Sequence, residues 1–243
     1  MVLVHIVPES TDARCVAFHP HNTNILAIGC DDGTVRIWDV STQVCVSSLK
    51  EHTDRITSIR FVPDCRMLLS SWDKTASTVT LDDQFQLVSS VNLEGQTRAV
   101  CDIIPLRSSN LCVTCSSDKT MKVWDFETGA CLQTLTEHRG SINALAVHPK
   151  GKYFASASRD RTVIIWSSET FEFLRHLVFP SSVSSLMFVE SDTFYVGVKT
   201  DGVMSCNALT GELGQVIIPG AGNILGLAFG ETVILSSVFT IHH

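Results

Sequence analysis

The sequence predicts an all-β fold assembled from registered repeats, and three observations carry that prediction. An aspartate followed by a short β-forming run recurs at Asp32, Asp73, Asp118, Asp160 and Asp201, at intervals of about 41–45 residues. Short apolar stretches bounded by turn residues precede each copy, such as Cys15–Phe18, Ile56–Phe61 and Ile142–Val147. Turn signals close them: His19-Pro20, Val62-Pro63-Asp64 and His148-Pro149-Lys150-Gly151. Several unrelated hairpins would not keep a common register, and no helical period, low-complexity run or linker interrupts it.

Three of the five copies end on tryptophan: Trp38, Trp124 and Trp166. Two of these continue into aspartate, as Trp38-Asp39 and Trp124-Asp125, and Val79 and Asn207 hold the same position elsewhere. A period of about 40–45 residues with Trp-Asp endings is that of a β-propeller blade. On these residues the chain resembles the WD-repeat β-propeller family over nearly its whole length. Upstream histidines support the likeness, His52 before Asp73 and His138 before Asp160, although Glu51 and Glu137 stand where the family more often has glycine.

The expected organisation is a single propeller domain, residues 1–243. Five full blades span about residues 10–49, 50–92, 93–135, 136–177 and 178–216. A partial sixth is predicted from Ile224–Phe229 and Val233–Val238, at 217–243. An open ring would leave strand edges exposed. Residues 2–7, Val-Leu-Val-His-Ile-Val, have the length and composition of a closing strand. A ring of seven blades with the rest missing is the alternative.

The resemblance also implies a structural role for the repeat residues. In the family a loop His, a strand Ser or Thr, a turn Asp and the Trp form one buried polar cluster per blade. Such groups need one another because an unmet buried partner costs about 1–3 kcal/mol. The fourth repeat carries the full set: His138, Ser156, Asp160 and Trp166. The third keeps Thr114, Asp118 and Trp124, with Gln96 in the His position. The second keeps His52 and Asp73, with Leu69 and Val79 at the hydroxyl and Trp positions. The first contributes Asp32 and Trp38, and the fifth keeps only Asp201. A His–Asp–Ser set also suits a hydrolase, but residues that recur in register fit a framework better than a single active site.

Partner binding is expected at blade ends, on the face that carries the His loops and Asp turns. Three positions per repeat map there by the resemblance. They are Asp12, Arg14 and Asp31; Arg55, Thr57 and Trp72; Ala99, Cys101 and Ser117; Ser141, Asn143 and Arg159; and Ser182, Ser184 and Thr200. Arg and Trp are the commonest interface anchors, which singles out Arg14, Arg55, Trp72 and Arg159. The alternative is that Trp72 packs on its own turn and the arginines are solvated.

Composition narrows the function classes. Apolar residues make up 44% and charged residues 18%, enough to fill a core and too apolar for a disordered chain. A formal net charge of −7 is a poor match to phosphate-driven nucleic-acid binding. RNA contact through Arg14, Arg55, Lys74, Arg159 and Arg161 remains a minor alternative. No apolar run reaches the roughly 18 residues of a membrane span, and no basic n-region marks a secretory signal. The nine cysteines are therefore read as reduced thiols in an intracellular protein, each a small buried strand residue. Cys112-Val-Thr-Cys115 has metal-like spacing, but residues i and i+3 of a strand point to opposite faces, and no second pair accompanies it.

No cofactor, metal, nucleotide-binding loop or small-molecule substrate is expected. The function expected is a non-catalytic scaffold binding other proteins, in the cytoplasm or nucleus. A substrate-recognition subunit of a ubiquitin ligase is the alternative. The Trp-Asp-x-Arg ending common in such subunits is replaced here by Trp38-Asp-Val-Ser41 and Trp124-Asp-Phe-Glu127.

Overall fold

A computed structural model describes residues 13–107, 109–190, 192–218, 224–229 and 234–238. Every regular element among them is a strand, and the strands form five four-stranded antiparallel sheets and one two-stranded sheet. The first sheet runs β1 (Ala13–Phe18), β2 (Ile25–Cys30), β3 (Thr34–Asp39), β4 (Val44–Lys50). The second is β5 (Ile56–Val62), β6 (Arg66–Ser71), β7 (Ala76–Leu81), β8 (Leu87–Leu93). The third is β9 (Val100–Pro105), β10 (Leu111–Ser116), β11 (Met121–Asp125), β12 (Cys131–Leu135). The fourth is β13 (Ile142–Val147), β14 (Tyr153–Ser158), β15 (Thr162–Ser167), β16 (Phe173–Val178). The fifth is β17 (Val183–Glu190), β18 (Thr193–Val198), β19 (Gly202–Asn207), β20 (Leu213–Ile218), and a final hairpin pairs β21 (Ile224–Phe229) with β22 (Ile234–Val238). The closing strand expected at residues 2–7 lies outside the described residues.

The chain divides into two compact units. One comprises the described residues up to Pro105 with Asn110–Thr114 and Val123–Leu132; the other comprises Leu106–Ser109, Cys115–Lys122 and the described residues from Gln133 on. In the first, Ile25, Ala27, Val35 and Ile37 pack with Ile56, Ile59, Met67 and Val79, so that the first two sheets share one core. In the second, Ala155, Val163 and Ile165 pack with Val183, Phe194 and Val196 in the same way.

Composition explains which strand goes where. The second strands are apolar or small on both faces, ILAIGC in β2 and YFASAS in β14, and every residue of both is buried. The fourth strands lie at the sheet edge and are mostly exposed, as in β4 and β16. Close approach needs glycine at Gly29 of β2, where a Cβ would come within 2.6 Å of Cys15 Sγ and 2.7 Å of Ile56 Cγ2.

One irregularity recurs. The first-strand registers of the first, second, fourth and fifth sheets each skip one residue near the start: Arg14, Thr57, Asn143 and Ser184. A bulge of this kind leaves its residue out of the ladder and re-aims the side chain. The four bulged residues are members of the candidate binding set.

Candidate functional site

Turn chemistry comes first. Asp32, Asp73, Asp118 and Asp160 each accept both the backbone N–H and the hydroxyl of the threonine two residues on. These are Thr34, Thr75, Thr120 and Thr162, at 2.5–3.0 Å. This Asx turn fixes one carboxylate oxygen and leaves the other free to reach inward. In the fourth sheet that oxygen accepts from His138 Nδ1 at 2.9 Å and from the Arg139 N–H at 2.8 Å. A carboxylate can only accept, so Nδ1 carries the imidazole proton and Nε2 accepts from the Ser156 hydroxyl at 2.7 Å. The Ser156 oxygen in turn accepts the Trp166 indole N–H at 2.9 Å.

Electrostatics follow from that relay. Burial, opposed by Asp160, holds His138 below its ordinary value and keeps it neutral. Asp160 is partly desolvated, which would raise it, yet the hydrogen bonds from Thr162 and His138 outweigh this and bring it down to about 2. Ser156 is 0% exposed and already accepts the indole, so no substrate can reach its oxygen. The four side chains form one continuous hydrogen-bonded chain.

A second constellation lies at the surface of the first unit. Arg14 forks onto Asp31, Nε to Oδ1 at 2.5 Å and Nη2 to Oδ2 at 2.8 Å. Arg55 Nε stands 3.7 Å from the same Oδ1, and the Arg55 guanidinium carbon lies 4.0 Å from the centre of the Trp72 ring. Trp72 is 46% exposed. The Trp72 backbone N–H donates to the Arg55 carbonyl at 3.0 Å, so the turn itself holds ring and guanidinium together. The Arg14 hydrogen bond holds the Asp31 carboxyl below its ordinary value, with the charges of Arg14 and Arg55 adding to it.

Four stretches, residues 2–39, 43–77, 86–125 and 129–167, match the family described as WD domain, G-beta repeat. The chain belongs to the WD-repeat family. It is similar to nuclear distribution protein PAC1 of Arthroderma otae, 33% identical over 168 residues, which cover 60% of this chain and 36% of that protein. Another relative is periodic tryptophan protein 2 of Arabidopsis thaliana, 29% identical over 182 residues, 68% of this chain and 19% of that protein. The chain thus spans about a third of the length of the first of these relatives. Among solved structures, a chain of the mitotic checkpoint complex matches with a TM-score of 0.84 over 96% of this chain and 73% of that one, at 18% identity. That likeness shows the fold, a WD-repeat β-propeller whose four-stranded sheets are blades.

The blades differ from the sequence reading at several residues. In the second blade the hydroxyl position is indeed apolar, but the His is not left unmet. His52 Nδ1 meets Asp73 at 2.9 Å, and Nε2 takes the Ser77 hydroxyl at 3.0 Å, from β7 instead of β6. The spacing of the other blades points to Leu69, whereas the hydroxyl sits at Ser77, an offset no other described blade uses. The third blade keeps the Trp124 indole on the Thr114 hydroxyl at 2.8 Å, while the buried Gln96 Nε2 has no partner among the described residues. In the first blade Trp38 departs from the framework role: Ile28 lies ten residues before it where Thr114 and Ser156 serve the others, and among the described residues its buried indole N–H finds no acceptor. Trp38 packs instead against Leu26, Ile28 and Cys30. The Asp-x-Thr spacing, present in four repeats, is the local sequence signal for these turns.

Of the candidate binding residues, Arg14, Asp31, Arg55 and Trp72 come together, so the arginines are not simply solvated. Thr57 and Asn143 are engaged within their own units. Thr57 donates to the Val100 carbonyl at 2.8 Å, and Asn143 Nδ2 to the Val183 carbonyl at 2.7 Å; each links its blade to the next. Arg159, exposed, sits in the second unit, where its N–H bonds the Ser141 carbonyl at 2.9 Å. Asp12 lies outside the described residues.

The cysteines correct the expectation that each is buried in a strand. Cys45 and Cys131 are exposed, and Cys65 occupies a turn at φ 54°. Burial pushes the Cys15 thiol up to about 12 and raises Cys112 as well, which makes both poor nucleophiles. Among the described residues, no cluster of three or more His, Cys, Asp or Glu is placed to hold a metal, and no helix is long and apolar enough to cross a membrane.

Proposed function

We propose that this chain is a non-catalytic platform that brings other proteins together, with Trp72 and Arg55 as the anchor of one docking surface. The observation that carries the reading is the half-exposed Trp72 ring with the Arg55 guanidinium stacked on it and tied through Asp31 to Arg14. A large aromatic exposed beside an ordered arginine is the pairing that interfaces most often use as an anchor. The stack and the ion pairs fix the side chains before a partner arrives, which lowers the entropy lost on binding. The family membership supports the protein-binding reading, and the burial of Ser156 and His138 supports its non-catalytic side. Cytoplasm or nucleus is the compartment that fits.

The test is affinity capture with quantitative mass spectrometry, comparing the wild-type chain with Trp72→Ala/Arg55→Ala. Losing a buried anchor costs about 2 kcal/mol or more, roughly a thirtyfold drop in affinity. The double variant is expected to lose most captured partners while its melting temperature stays near that of the wild type. Full capture by the well-folded variant would move binding to other residues.

A further inference from the structure

In five blades the residue after the turn aspartate sits in the left-handed region: Gly33 at φ 83°, Lys74 at 79°, Lys119 at 76°, Arg161 at 70° and Gly202 at 85°. Glycine adopts that conformation freely, whereas a side chain there is disfavoured by its Cβ. The fourth blade nevertheless places an arginine at the position, and a cavity of about 420 Å³ opens beside it. That volume lies within the usual range of small-ligand sites. Arg139, Arg161 and His176 line the cavity together with Ile164, Phe173 and Val178. Phe173 is 57% and Val178 67% exposed, so the apolar wall is open to solvent.

The cavity is lined by two guanidinium groups, Arg139 and Arg161, and two carboxylates, Glu137 and Asp160. Among the described residues, the guanidinium groups of Arg139 and Arg161 have neither an ion pair nor a hydrogen bond. Asp160 does not serve them, because its two oxygens are taken by Thr162, His138 and the N–H groups of Arg139 and Gly140. Glu137 is the remaining carboxylate; it also borders a second cavity of about 270 Å³ that shares Phe173. Each guanidinium presents a planar fork of donors suited to oxyanions. The two forks come from different loops, one before β13 and one between β14 and β15. A planar carboxylate satisfies one fork; a tetrahedral phosphate offers three acceptor oxygens in different directions and can engage both.

We propose that this cavity binds an aryl phosphate monoester, its phosphate held by Arg139 and Arg161 and its ring lying against Ile164, Phe173 and Val178. The site shares no residue with the Trp72 anchor, and it stands whether or not that anchor binds proteins. The same chemistry is offered by a free aromatic phosphate and by a phosphotyrosine side chain.

The experiment titrates the full chain with phenyl phosphate, followed by calorimetry or NMR. Saturable binding is expected. Inorganic phosphate and benzoate, which lack the ring and the dianion respectively, should each bind about tenfold more weakly. Arg161→Gly and Arg139→Ala should each weaken phenyl phosphate by about tenfold or more. Arg161→Gly keeps the fold, because glycine already occupies the same turn in two blades. Glu137→Gln should tighten binding by removing a like charge. A phosphotyrosine pentapeptide that binds more tightly than phenyl phosphate assigns the source to a protein, and weaker binding assigns it to a free ligand. No saturable binding by ~10 mM phenyl phosphate, or equal binding by wild type and both arginine variants, overturns the site.

Discussion

In the fourth blade His138 sits between Asp160 and Ser156, and the Ser156 oxygen also takes the Trp166 indole. In the second blade His52 sits between Asp73 and Ser77, with buried Val79 where the indole would be. The Ser77 hydroxyl comes from the third strand of its blade, the Ser156 hydroxyl from the second. What is common to both blades is therefore a set of satisfied atoms, reached from different strands. Each His has its proton on a carboxylate and its bare nitrogen on a hydroxyl. An indole adds a second dependant to that hydroxyl in one blade only.

The largest expected effect exploits this difference. Ser156→Ala strands both the His138 Nε2 and the Trp166 N–H, while Ser77→Ala strands only the His52 Nε2. At about 1–3 kcal/mol per buried unmet group, the first substitution should destabilise about twice as much as the second in thermal or urea melts. Equal losses would break the comparison.

Next come the aspartates. Asp160→Ala removes the acceptor of the His138 proton and should cost about 1–3 kcal/mol, with Asp73→Ala in the same range. Asp201→Ala should cost clearly less, because its described partner is the adjacent Thr200 hydroxyl in a blade without the His or the Trp. Melting temperatures of the three variants order the blades.

Acid sharpens the picture. Burial holds His138 below its ordinary 6.5, so the unfolded chain takes up that proton first and stability falls as pH drops below 6.5. Asp160 is held down from 3.8 to about 2; its stabilisation is complete above 3.8 and is lost as pH falls from 3.8 toward 2. Melting temperature against pH should therefore decline in two stages, and His138→Gln should flatten the first stage relative to the second. An unchanged profile for that variant would remove His138 as the cause.

The smallest effect separates the tryptophans. Trp124→Phe leaves the buried Thr114 hydroxyl without its indole and should cost about 1–2 kcal/mol, lost hydrogen bond and ring volume included. Trp38→Phe loses ring volume against Leu26, Ile28 and Cys30 but no hydrogen bond, since among the described residues its buried indole N–H has no acceptor, and should cost less, about 0.5–1 kcal/mol. Measured side by side, the pair reports whether an indole stabilises by its bond or by its bulk.

The sequence by itself determined the repeat, the strands and the turns. Asp-x-Thr turns and short apolar strands are local, set by residues two to ten apart whose geometry follows from backbone sterics. The full His138–Ser156–Asp160–Trp166 cluster was legible for the same reason, since each member keeps a fixed offset within one blade. Tertiary structure decided what depends on which side chains meet across strands and blades. Ser77 reaches His52 because β7 lies beside the loop that carries it; Thr57 and Asn143 spend their polar groups on the following blade; and Asp31, with two arginines in reach, gathers Arg14, Arg55 and Trp72 into one surface. No periodicity encodes those meetings. They follow from the bulges in the first strands and from the requirement that each buried polar atom find a partner within hydrogen-bonding distance, wherever in the chain that partner lies.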